Sequence, residues 1–281
     1  MTIVALKRAD FVIITAFIVI QLFALALVTS FPEQVQAFDD PGDPGNSVLY
    51  IVLFMIVSFS VLAVLALRMI LVLRLIMVSA MIGGATLSFA LLIHIIITPA
   101  WLVLICSVIL SIALVAATLF TRDPRLMATT AGVLCIGAIV ILATSFSIVP
   151  ALLLLTILSL YDYWAVRKTG HMQTIADGMV ELNLPLLFRH MDKDGMETSI
   201  GLGDVALPGM LAASAMYHLA TVEGNIPGAN ILVALLIVMG GAIGLLFLLG
   251  NLGDKPAPGL PWINGGAILA LAVSYPLFFL L

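Results

Sequence analysis

Charged side chains are scarce in this chain: 9% of its 281 residues are Asp, Glu, Lys or Arg, where a soluble domain carries about 25%. Since 63% of the residues are hydrophobic, too little polar surface exists to wrap a core, and an ordinary soluble domain is excluded. Cysteine is scarcer still. The two present, Cys106 and Cys135, both fall within apolar runs, which argues against a disulfide framework and makes them small packing residues. His171, His190 and His218 have no neighbours at metal-ligand spacing, and no glycine-rich phosphate loop or basic nucleic-acid patch occurs. No metal, no cofactor and no nucleic-acid partner are therefore expected. There is no repeat with a period of about 20–50 residues, which excludes an array, and residues 1–281 are read as a single membrane domain.

What the chain does have is apolar sequence in lengths that suit a bilayer. A helix needs about 20 mostly apolar residues to cross the hydrocarbon core, because only a closed helix satisfies its own backbone there. Such runs lie near 11–31, 48–67, 75–97, 100–120, 126–144, 147–166, 199–219, 229–250 and 261–281. The predicted architecture is thus an all-α polytopic protein with nine spans: six over about 11–166, a cytoplasmic connection over about 167–198, and three over about 199–281. Lys and Arg in short loops are retained in the cytoplasm. Lys7 and Arg8, Arg68 and Arg74, Arg122 and Arg125, Arg167 to Lys193, and Lys255 then all fall on one side. A miscounted span early in the chain would have scattered them. The N-terminus is therefore placed in the cytoplasm and the C-terminus on the opposite side. Lys7 and Arg8 before an apolar stretch, with Val35-Gln36-Ala37 beyond it, also resemble a cleaved signal peptide. The stretch is 21 residues long, against about 7–15 for a signal core, so it is read as a span. The connection 32–47, with Glu33, Asp39, Asp40 and Asp43, reads as a flexible acidic loop.

Two acids interrupt the apolar pattern, Asp162 in the sixth span and Asp204 in the seventh. A carboxylate at the bilayer centre costs at least about 2.5–3.5 kcal/mol, so such residues demand a function. Asp162 precedes Arg167 by five residues, about 7.5 Å of helix, and Asp204 follows Glu197 by seven, about 10 Å. Both occupy the cytoplasmic third of the membrane and can meet if their spans pack side by side. Gly201 and Gly203 flank Leu202 just ahead of Asp204, allowing another backbone close approach and loosening the first turn. Two carboxyls a few ångströms apart cannot both ionise cheaply and share one proton. One member then deprotonates water while the other polarises a peptide carbonyl, which is aspartyl-protease chemistry.

Tyr161-Asp162, Gly201-Leu202-Gly203-Asp204 and Pro258-Gly259-Leu260-Pro261 resemble the YD, GxGD and PAL motifs of the presenilin and signal peptide peptidase family, and the resemblance spans essentially the whole chain. It implies that Asp162 and Asp204 are the catalytic pair, that Tyr161, Gly201, Leu202 and Gly203 shape the site, and that Pro258, Gly259, Leu260 and Pro261 border it. Gly259 departs from the pattern, standing where alanine is usual. Family members cut transmembrane helices, so the implied partners are membrane-spanning substrates within a lipid bilayer; a homo-oligomer is compatible with the sequence. Residues 182–188 sit where presenilins place a substrate-engaging strand, which would assign Leu182, Leu184, Leu186 and Leu187 to the substrate. The alternation there suits an edge strand, while an apolar segment on the membrane surface fits equally well. Met172–Val180 suits a short interfacial helix.

Taken singly, Tyr161, Tyr163 and Trp164 read as an interfacial aromatic belt, His94 as a packed or interfacial histidine, and Gly240, Gly244, Gly265 and Gly266 as helix-packing positions. Two rival functions keep the acids in the membrane: a proton- or cation-coupled transporter and a prepilin-type GxGD peptidase. Spans 1–5 hold no acidic counterpart to the pair, as a transporter built from inverted repeats would. A scaffold leaves both acids unexplained.

Overall fold

The computed structural model describes residues 8–29, 36–67, 69–121, 123–165, 187–191, 197–221, 227–251 and 258–279. Among them are nine α-helices: α1 (Arg8–Val28), α2 (Gly45–Ala66), α3 (Ile70–His94), α4 (Ala100–Thr121), α5 (Pro124–Ser145), α6 (Ile148–Trp164), α7 (Leu202–His218), α8 (Ala229–Asn251) and α9 (Leu260–Phe279). One two-stranded antiparallel sheet pairs β1 (Leu187–Met191) with β2 (Glu197–Gly201). Six of the helices, α1, α3, α4, α5, α8 and α9, hold windows long and apolar enough to cross a membrane. By contrast α6 and α7 have 17 residues each, about 26 Å of helix against a hydrocarbon core of about 30 Å.

The seventh expected span starts later than the sequence suggests. Residues 199–201 belong to β2, and the helix begins at Leu202. Gly201 stands at the junction as the N-cap, with extended dihedrals (φ −68°, ψ 149°). Helical rise therefore does not measure the depth of Asp204 from Glu197, because an extended strand advances more than twice as far per residue. The substrate-strand expectation also moves: β1 covers 187–191, while Leu182, Leu184 and Leu186, like Met172–Val180, lie outside the described residues. Leu187 opens β1 opposite Gly201.

The described part of the acidic 32–47 connection is docked, contrary to the flexible loop expected. Asp40 and Asp43 accept from the amides of Gly42 and Gly45, each at 2.8 Å, and so form turns. The Ala37 N–H donates to Ser145 Oγ (2.8 Å), and the Ser147 N–H donates to the Pro41 carbonyl (2.8 Å). Phe146 meets Phe38 and Tyr50 edge to face at 5.2 and 5.7 Å. These short-range acceptors and rings tie the loop to the α5–α6 corner.

At the centre lies α7, where every residue from Val205 to Ala215 is buried. Its neighbours are α5, α8, α1, α6 and α9. Small residues make this possible: a Cβ on Gly209 would stand 2.7 Å from Ile139 Cδ1 of α5. Lipid offers no hydrophobic force to press helices together, so close backbone approach and hydrogen bonds do so. The α8–α9 seam is the closest: a Cβ on Gly240 would collide with the Gly266 carbonyl, one on Gly266 with the Gly240 carbonyl, and one on Gly244 with the Trp262 carbonyl. Gly265 has no such neighbour among the described residues.

Candidate active site

Asp162 lies in the last turn of α6 and Asp204 in the first turn of α7. A third element brings them together. The Leu260 N–H, at the start of α9, donates to Asp162 Oδ2 at 3.2 Å. One residue earlier, a Cβ on Gly259 would lie 3.2–3.3 Å from all three atoms of the Asp204 carboxyl group. Both acids thus converge on the Gly259–Leu260 peptide, close enough to feel one another's charge. Asp162 is buried and Asp204 half-buried.

Local sequence explains each placement. Pro261 occupies the first turn of α9, where a missing N–H costs nothing, and the free amides of that turn favour an anion in front of them. The Asp162 carboxyl stands in that position. Asp204 is the third residue of α7, and the Gly201 backbone donates back to it, the reciprocal half of a capping box. Four residues on, Pro208 has no N–H to give the Asp204 carbonyl, so the turn carrying the acid lacks one helical bond. That missing bond lies in the turn expected to be loosened by Gly201 and Gly203, of which Gly201 stands at the N-cap, outside the helix. Neither glycine is demanded by packing: a Cβ on Gly203 would meet nothing within 4 Å among the described residues, and one on Gly201 would make ordinary contact with Asp204 at 3.4 Å. The exposed face at Gly203 adjoins Asp204.

The remaining anticipated residues are distributed around this centre. Tyr161 is half-buried and packs edge to face on Phe54 of α2, at 6.3 Å. Tyr163 and Trp164 are exposed, as a belt requires. Leu202 rests on a cluster of Met81, Ala85, Val115 and Leu134 from α3, α4 and α5. Pro258 and Pro261 are half-buried and Leu260 is buried. His218 lies away from the pair, its Nε2 3.1 Å from the Ala143 carbonyl. No group of side chains suited to a metal ion occurs among the described residues.

Two residues of this neighbourhood escaped the sequence reading. Asn264 is fully buried one turn into α9, and its Nδ2 donates to Ser159 Oγ (2.9 Å). Ser159, one turn before Asp162, donates to the Leu260 carbonyl (3.5 Å). The pair stitches the start of α9 to α6 beside the amide that holds Asp162. A buried polar residue in an apolar span was the signal available, though serine and asparagine are too frequent for it to stand out. Cys135 packs as expected but also donates its thiol to the Leu202 carbonyl at 3.5 Å, a partner 67 positions away that no spacing reveals.

Residues 14–279 match the family described as signal-peptide peptidase, presenilin aspartyl protease. Comparison with curated proteins gives no match. Among solved structures, the fold is similar to a presenilin family intramembrane aspartate protease in a C222 crystal form, with a TM-score of 0.67 and 22% identity over 94% of this chain and 96% of that one. A structure of the same description in a P2 form gives a TM-score of 0.67 and 23% identity over 93% and 96%.

Proposed function

We propose that Asp162 and Asp204 form the catalytic dyad of this chain, which belongs to the signal-peptide peptidase and presenilin family of aspartyl proteases. It is a multi-pass integral membrane protein and an intramembrane aspartyl protease. Membership decides against the transporter and prepilin-type alternatives. The observation that carries the residue assignment is the convergence of both carboxyls on the Gly259–Leu260 peptide.

In the proposed reaction the dyad holds one proton. The ionised carboxyl removes a proton from water as its oxygen attacks the scissile carbonyl carbon, and the protonated carboxyl donates a hydrogen bond to the carbonyl oxygen. The tetrahedral intermediate collapses when the dyad passes the proton it took from water to the nitrogen and the C–N bond breaks, leaving a carboxylic acid and an amine and returning the dyad to one proton. Neither metal nor covalent intermediate is required. The substrates are transmembrane helices, which must unwind to expose a peptide bond. The open side at Gly203 and the β1–β2 hairpin beside α7 suit an extended segment, with backbone pairing to an edge strand as the means of holding it. Tyr161, Leu202 and Pro258 to Pro261 shape the rim.

The chain crosses the membrane nine times in this reading, with its N-terminus cytoplasmic; the segregation of all 11 basic residues supports that count. Both acids reside in one chain, so the dyad itself needs no second copy.

The test is cleavage of a single-span reporter by purified protein reconstituted in lipid, with products identified by mass spectrometry. Asp162→Asn and Asp204→Asn should each lower the rate by at least about 10²–10⁴ without altering the unfolding temperature by more than a few degrees. Cleavage surviving either change removes that residue from the dyad. The rate should follow a bell-shaped pH profile whose two limbs belong to the pair; a flat profile between acid and neutral pH would contradict proton sharing.

A further inference from the structure

A cleft of about 530 Å³ lies between α3 and α4, lined by Arg74, Val78, Ile82, Ile112, Val115, Ala116, Leu119 and Phe120. It is apolar throughout except at one end, where Arg74 stands in the second turn of α3 opposite the last turn of α4. No acid lines it, and among the described residues nothing pairs with the Arg74 guanidinium. Arg125 is exposed in the first turn of α5 at the same end of the bundle, and the chain places Arg68 and Arg122 in the adjoining short loops. A cation with no partner among the described residues, at the end of an apolar channel and on the face read as cytoplasmic, suits an occupant with an anionic head and an apolar tail.

We propose that this cleft binds one anionic phospholipid, its phosphate on Arg74 and one acyl chain against Val78, Ile82, Ile112 and Leu119. From Arg74 to Ile82 the α3 wall runs eight residues, about 12 Å of helix, and the volume falls within the about 300–1,000 Å³ range of ligand pockets. Basic pockets between helices at the cytoplasmic side recognise anionic headgroups, because the lipid supplies the charge the protein lacks. A zwitterionic lipid brings a cation of its own beside the phosphate and gains less. The lipid would also reach the active region indirectly. Val115 in the cleft wall belongs to the cluster on which Leu202 rests, and Val78, Ile82 and Leu119 pack against that cluster.

The experiment is native mass spectrometry of the full chain exchanged into phosphatidylglycerol or phosphatidylcholine of identical acyl chains. Wild type should retain one phosphatidylglycerol in preference to phosphatidylcholine. Arg74→Leu should reduce that preference about fivefold, the factor given by about 1 kcal/mol per basic residue, and Arg74→Lys should keep most of it. Ala116→Trp, which fills the cleft with Arg74 intact, should lose the bound lipid as well. Equal retention of the two lipids by wild type overturns the proposal. So does phosphatidylglycerol retention that survives Ala116→Trp, since diffuse surface charge would then account for it. A raised KM for substrate in Ala116→Trp with lipid retention unchanged would assign the cleft to the substrate helix and overturn it too.

Discussion

The central helix α7 and the peripheral helix α4 reverse the rule that governs soluble proteins. In α7, four alanines and two glycines accompany an unbroken buried run from Val205 to Ala215. In α4, richer in large apolar residues, only Val103, Ser107, Ser111, Val115 and Thr118 are buried, a single stripe at nearly four-residue spacing. That stripe makes hydroxyl contacts, Ser111 with Thr86 of α3 and Thr118 with Thr130 of α5, both at 2.7 Å. Trp101, Leu104, Ile109 and Phe120 face outward. Where the solvent is hydrocarbon, a large apolar side chain gains nothing by moving inward, and burial goes to residues that permit contact. The site therefore stands on the less apolar part of the molecule.

That contrast yields predictions of graded size. The largest concerns the α8–α9 seam. Gly240→Leu must push backbone from backbone, because its side chain would enter the Gly266 carbonyl, and should cost more than about 3 kcal/mol, with loss of folded protein on size-exclusion chromatography and of all cleavage. Folded, active Gly240→Leu protein would mean that the seam is not the structural anchor. Next, Gly209→Ala drives a methyl against Ile139 and should lower stability by about 1–3 kcal/mol; Ile139→Val, which shortens the opposing side chain, should restore part of it. Such rescue, read by thermal unfolding in detergent, would attribute the effect to packing.

A smaller effect should appear at the α6–α9 stitch. Ser159→Ala frees the start of α9 beside Asp162 and should reduce kcat several-fold, the equivalent of about 1 kcal/mol, with KM and unfolding temperature nearly unchanged. Equal losses of stability and rate would make Ser159 merely structural. Smallest of all, Ile109→Ala on the outer face of α4, where Ile109 is 61% exposed, should shift stability by less than about 0.5 kcal/mol. A larger change there would show that α4 packs against something in the membrane and break the comparison with α7.

Much of the site was readable because its signals are local. Asp162 and Asp204 stand out against apolar runs without reference to any distant residue. Less was readable where the partner is distant or the backbone changes type. Nothing within the run from 199 onward distinguishes β2 from the helix that follows, because the switch at Gly201 depends on pairing with β1. The bond from Leu260 to Asp162 joins residues 98 apart, and no spacing within either motif encodes it. The docking of the acidic loop is illegible in its own sequence for the same reason: its anchors, Ser145, Phe146 and Ser147, belong to another corner of the chain.

The amino-acid sequence alone determined that this protein lives in a bilayer and that Asp162 and Asp204 interrupt its apolar runs, since the cost of burying backbone and charge in hydrocarbon leaves few other solutions. Only the tertiary structure decided that those acids face one peptide at the start of α9. That meeting depends on how closely three helix ends approach, and the approach is set by small side chains and single hydrogen bonds between residues far apart in the chain.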